Sequence, residues 1–135
     1  MIRLFLVAFA IGVVTSCTSI DDNVMASESQ LALRQIQTRE FTDIGKEDAM
    51  RAVIATLQDL GFVVDKADLV LGSVSATKLQ QYTIVMTVTV RQREGSVMVR
   101  ANANYQKTTI NDPEPYQNFF TALDKAIFLQ KNKVG

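Results

Sequence analysis

The chain of 135 residues has no histidine, no tryptophan, only two prolines and a single cysteine. Each shortage removes a class of chemistry. Without histidine, the base that takes a nucleophile's proton in a Ser-His-Asp or Cys-His couple is missing. Nearly all zinc, copper and haem sites go with it, because their usual ligands are histidine and several cysteines. A disulfide framework needs an even number of cysteines, and one cannot close it. No phosphate-loop or dinucleotide-binding glycine pattern occurs, and Asp59-Leu60-Gly61 reads as the end of a helix. Charge of one sign is also lacking. Fourteen basic side chains balance fourteen acidic ones, with no Lys/Arg block to grip nucleic acid. The expectation is a chain without catalytic residues, metal or cofactor, and without a nucleic-acid partner.

Carboxylates are the remaining candidates for chemistry. Asp65 and Asp68 flank a turn, Asp112 and Glu114 flank Pro113, and Glu47 and Asp48 open a helix. None has the regular oxygen-ligand spacing of a dedicated calcium loop. Such acids ordinarily start turns, cap helices and complement the helix dipole. Lys78 reads as a strand-end lysine that protects an edge, with a groove amine as the alternative.

The beginning of the chain is the most distinctive part. After Met1, Ile2 and Arg3 come eleven residues, Leu4 to Val14, with no charge and no strongly polar side chain. A charged start, a short apolar run and small residues at 15 and 16 make a secretory signal. Eleven apolar residues are too few to cross a bilayer, which takes about 20. Val14-Thr15-Ser16-Cys17 then resembles the lipobox of bacterial lipoproteins, with Val where Leu is more usual and Thr where Ala or Ser is. The resemblance implies cleavage before Cys17, a diacylglycerol on its thiol and an acyl chain on its amino group. Each buried methylene contributes about 0.8 kcal/mol, so two or three chains hold essentially permanently. Thr18 stands where Asp retains enteric lipoproteins in the inner membrane. Its presence favours the outer membrane, with the domain in the periplasm and surface exposure as the alternative.

The expected organisation is therefore a signal peptide at 1–16, an acylated cysteine and flexible tether at 17–30, and one α+β domain at 31–133. Removing Arg3 with the leader leaves 13 basic against 14 acidic side chains. Within the domain, Arg34 to Phe41 suggests a strand. Thr42 or Asp43 is placed to cap a helix whose stripe is Met50, Val53, Ile54, Leu57 and Leu60, ended by Gly61. Phe62 to Lys66 and Ser73 to Leu79 suggest strands on either side of a turn at Asp68 to Gly72. Tyr82 to Lys107 alternates apolar and polar residues around Glu94-Gly95. A two-residue loop pairs Arg93 with Ser96, Val90 with Val99 and Ile84 with Tyr105. A three-residue loop would mismatch the apolar faces. Asp112-Pro113 opens a last helix with the stripe Tyr116, Phe119, Phe120, Leu123 and Ile127. The order β-α-β-β-β-β-α predicts an antiparallel sheet of four to five strands with two helices on one face.

Leu57-Gln58-Asp59-Leu60-Gly61-Phe62, the turn from Asp68 to Gly72 with Ser75-Ala76-Thr77-Lys78 after it, and the terminal Tyr116 to Phe120 and Phe128 to Lys131 are similar to a group of small Gram-negative envelope lipoproteins. The likeness runs from about Gln37 to Lys131. It implies a single envelope domain and adds no chemistry, since its motif positions read as core and turns.

The polar face of the hairpin is the candidate site. It gathers Thr87, Thr89, Arg91 and Arg93 opposite Arg100, Asn102 and Asn104, with three arginines converging and no acidic neighbour expected on that face. A solvated sheet face is the plain reading. The functional reading is a docking surface for a protein partner or a glycan in the envelope. On that reading the chain is a lipid-anchored, non-enzymatic module of a larger secretion, transport or efflux assembly. The alternative is a carrier or chaperone of a lipid or other apolar ligand, which calls for an apolar cavity of a few hundred Å³. The third reading is a small hydrolase using two convergent carboxylates.

Overall fold

The computed structural model describes residues 20–132. The expected signal peptide, Cys17 and the last residues of the chain lie outside the described part. The elements are α1 (Ile20–Gln37), β1 (Thr38–Thr42), α2 (Lys46–Asp59), β2 (Val63–Asp68), β3 (Ser73–Leu79), β4 (Thr83–Arg93), β5 (Ser96–Tyr105), β6 (Thr108–Thr109) and α3 (Pro113–Lys131). The strands form one antiparallel sheet in the order β1-β5-β4-β3-β2, with β6 beside β1 on the same flank of β5. The protein is thus α+β, with an antiparallel sheet and three helices.

The central hairpin has the expected register: Val90 faces Val99, Val88 faces Ala101, Ile84 faces Tyr105 and Arg93 faces Ser96. Alternation then sends Met86, Val88, Val90, Val97, Val99, Ala101 and Ala103 to one face, where all are buried. Two helices cover that face. α2 supplies Met50, Val53 and Leu57, and α3 supplies Tyr116, Phe119, Phe120, Leu123 and Ile127. Phe119 and Phe120 meet edge to face at 5.1 Å between ring centroids. α3 begins where Asp112 accepts a hydrogen bond from the Glu114 amide, with proline at the first turn. α2 begins at Gly45 with no side-chain cap, so neither Thr42 nor Asp43 performs the expected role. Asp43 instead takes a left-handed turn, with φ 58°.

Two expectations at the start of the domain are corrected. Residues 20–37 are helical, where a flexible tether to 30 and a strand from Arg34 were expected. The stretch from 20 to 37 contains no glycine or proline, and its Ser-Gln-Leu-Ala-Leu-Arg-Gln-Ile-Gln end favours helix. Tertiary contact completes it: Leu33 and Ile36 pack against the core cluster, and α1 lies against α3 and β5. The first strand therefore starts four residues later than expected, at Thr38.

Gln37, at the junction of α1 and β1, is a buried polar side chain in an otherwise apolar setting. Its amide donates to the Tyr116 hydroxyl at 3.2 Å and to Asn102 Oδ1 at 3.5 Å. The same hydroxyl donates to the Ile110 carbonyl at 2.6 Å and accepts from the Ala103 amide at 3.2 Å. It also lies 3.4 Å from the Ala103 carbonyl, but its one proton serves the shorter bond. These groups fill the gap between β1 and β6, where β5 has no strand partner. Buried backbone groups left there without partners would each cost about 1–3 kcal/mol.

Candidate functional site on the open face of the sheet

The face opposite α2 and α3 has no helix laid across it. Alternation in β4 and β5 places Thr87, Thr89 and Arg91 there, beside Met98, Arg100 and Asn102. These six side chains line a shallow, open concavity of about 400 Å³. Five of the seven residues expected from the sequence thus come together. Arg93 stands towards the turn and donates to the Met98 sulfur at 3.6 Å. Asn104 lies at the other end, opposite Val85 and Thr109.

The electrostatics distinguish this face from an ordinary solvated sheet. Arg91 and Arg100 are exposed, and neither has a hydrogen bond or ion pair among the described residues. In the register they sit diagonally, since Arg91 faces Met98 and Arg100 follows two residues on. The expectation of a face without acidic neighbours is corrected: Glu40 of β1 pairs with Met98 and stands diagonal to Arg100, and its carboxylate accepts from the Ser96 hydroxyl at 2.5 Å. Asp65 on the far side accepts from Thr77 at 2.6 Å.

Sequence reasoning missed one wall of the site. Gln30, Leu33, Arg34 and Gln37 of α1 border a cleft of about 190 Å³ with Arg100, Asn102 and Thr109. Arg34 thereby joins the basic face as a third guanidinium without an ion-pair partner among the described residues. No local signal marks it, because its position depends on α1 folding back beside β5. Met98, which the alternation of β5 puts on the same face, completes the lining.

The other candidates have structural partners. Asp68 accepts from the Leu71 amide at 2.9 Å, Glu47 pairs with Arg51 at 2.7 Å, and Asp48 accepts from Gln130 at 3.3 Å. Among the described residues, no three acidic or thiol side chains gather into a group that would hold a metal ion. Lys78 stands next to the end of β3, one residue past the last pair with β2, and faces Ile84 of β4. Its ammonium lies 5.6 Å from the centre of the Phe62 ring, at a pocket of about 210 Å³ shared with Leu60, Ile84, Met86, Glu114, Pro115 and Asn118. That volume falls short of the several hundred Å³ that enclose a drug-sized ligand. Tyr116, Phe119 and Phe120 fill the space between helices and sheet rather than lining a cavity. Among the described residues, no helix is long and apolar enough to cross a membrane. No protein-family model matches the sequence, and no curated protein matches it.

Proposed function

We propose that the protein is a lipid-anchored envelope module that binds a protein partner through the open face of its sheet, as part of a larger assembly. The observation that carries this reading is the concavity between β4 and β5, bordered by guanidiniums of Arg91 and Arg100 with no ion-pair partner among the described residues. A partner offering carboxylates would gain charge-assisted hydrogen bonds from both guanidiniums. Threonine and asparagine around the arginines both donate and accept, which suits a polar, reversible contact. Acyl chains on Cys17 would hold the domain near one membrane and raise the effective concentration for a partner in the same envelope. The leader and lipobox residues at 1–17 support the anchored, outer-membrane part of the reading.

In-cell photocrosslinking tests it, with a photoreactive residue at Thr87 and a control at Gln58, which is exposed on α2. A discrete partner band from Thr87 and none from Gln58 is expected, identified by mass spectrometry. Crosslinks to lipid only, or equal patterns at both positions, would overturn the docking face.

A further inference from the structure

The loop between β2 and β3 breaks the pattern of the surface. Leu69, Val70 and Leu71 are consecutive, and 47%, 87% and 72% exposed. Large aliphatic side chains scattered singly on a surface are normal, but three in a row at a hairpin tip form a contiguous apolar projection. The tip is also tied down. The Leu71 amide donates to the Asp68 carboxylate at 2.9 Å, and the Gly72 amide to the Asp68 carbonyl at 2.8 Å. The Lys46 ammonium donates to the Val70 carbonyl at 2.9 Å, and the Val90 amide to the Gly72 carbonyl at 2.7 Å. Gly72 is left-handed, with φ 69°, and a Cβ there would run into the Val90 carbonyl and the Lys46 side chain.

We infer that this tip is a lipid-insertion loop, which seats Leu69, Val70 and Leu71 in the interfacial region of a phospholipid bilayer. Three observations favour lipid over a protein pocket. The amides of Leu71 and Gly72 and the carbonyl of Val70 already have partners within the protein, while the amides of Leu69 and Val70 have none among the described residues, so the tip suits the hydrated interfacial region and not the hydrocarbon beneath it. The tip carries only aliphatic side chains, whereas the anchors of protein interfaces are chiefly Trp, Tyr and Arg. The Lys46 stem reaches along the base of the tip and holds its ammonium there, the arrangement in which a lysine keeps its charge at headgroup level.

The consequence is orientation. α1 leads into β1 at one edge of the sheet, and the tip joins the two strands at the other edge. Strands are about 4.8 Å apart, so a five-strand sheet is about 19 Å across. A second lipid contact at the far edge of the sheet stops the domain from turning freely about its anchor. The inference rests on the anchored reading for the nearness of a bilayer, but its test separates the two.

The full chain, purified from membranes, is reconstituted into phosphatidylcholine vesicles after Val70→Cys and labelling with an environment-sensitive fluorophore; Gln58→Cys is the control. Mass spectrometry of the Cys17 peptide reports acylation independently. The expected result is a blue shift and at least twofold quenching by brominated acyl chains at position 70, none at 58, and loss of both on adding Leu71→Asp. Quenching at 70 without acylated Cys17 would still support the tip while removing the anchor. A probe that stays in water on acylated, vesicle-bound protein would overturn the tip and spare the anchor. A blue shift without acyl-chain quenching means that the tip is covered by protein, which also overturns it.

Discussion

The two faces of the β4–β5 hairpin come from one alternating stretch of sequence, and they end in opposite conditions. Met86, Val88 and Val90 are sealed beneath α2 and α3, while Thr87, Thr89 and Arg91, their immediate neighbours, face outwards with no helix laid across them. On the sealed face the close fit of Phe119, Phe120 and Leu123 against small Ala101 and Ala103 decides stability. On the open face the arginines lack ion-pair partners among the described residues, and Asn102 is held by the amide of buried Gln37. The difference teaches where to look for function: on the face whose charged side chains folding leaves unpaired.

The comparison breaks first, and hardest, at the sealed face. Phe119→Ala should cost about 3–5 kcal/mol, the range for emptying a buried aromatic site. Urea denaturation of the purified domain reads it, and a loss below about 1 kcal/mol would mean that the core rearranges freely. Gly72→Ala should cost about 3 kcal/mol, combining a left-handed alanine with the clash against the Val90 carbonyl. Tyr116→Phe removes one oxygen that serves Ile110, Ala103 and Gln37. About 1–3 kcal/mol is expected, since buried partners are left unsatisfied. Hydrogen exchange should speed up at the Ala103 amide before it does at Val88.

Thr56 sharpens the comparison with the opposite sign. Its hydroxyl is buried in α2 with no hydrogen-bond partner among the described residues. Thr56→Val replaces it with a methyl of similar shape and should stabilise by about 1 kcal/mol. A drop in stability would show that the hydroxyl has a partner after all. The smallest effect on folding belongs to the open face. Arg91→Gln with Arg100→Gln, both exposed and without ion-pair partners among the described residues, should change stability by less than about 0.5 kcal/mol, as surface substitutions do. The same pair should abolish partner capture, and capture should weaken as salt rises, because exposed charges are screened beyond about 10 Å at 0.1 M.

Much of this architecture was legible in residues close together in the chain. The hairpin register followed from alternation on both sides of Glu94-Gly95, since a slip by one residue would turn every valine outwards. Asp112-Pro113 marked the start of α3, and Gly61 the end of α2, where the backbone takes φ 87°. The first element was misread because Arg34 to Phe41 alternates loosely enough to pass for a strand. Its helix is completed by Leu33 and Ile36 meeting a core whose other residues lie far along the chain. The β1 edge was beyond reach for the same reason, as it pairs with residues about sixty positions later.

The candidate site divides in the same way. Thr87, Thr89, Arg91, Arg100 and Asn102 belong to one hairpin, so local periodicity alone determined that they share a face. Arg34 reaches that face only because α1 folds beside β5. Gln37 is tied to Asn102 and Tyr116 across separations of 65 and 79 residues. Neither placement leaves a trace in neighbouring residues, because each is set by which surfaces find cover once the sheet exists. The sequence by itself determined the register of the central hairpin, the start of α3 and the end of α2. The tertiary structure decided which polar groups were used up in holding the fold and which arginines were left for something else.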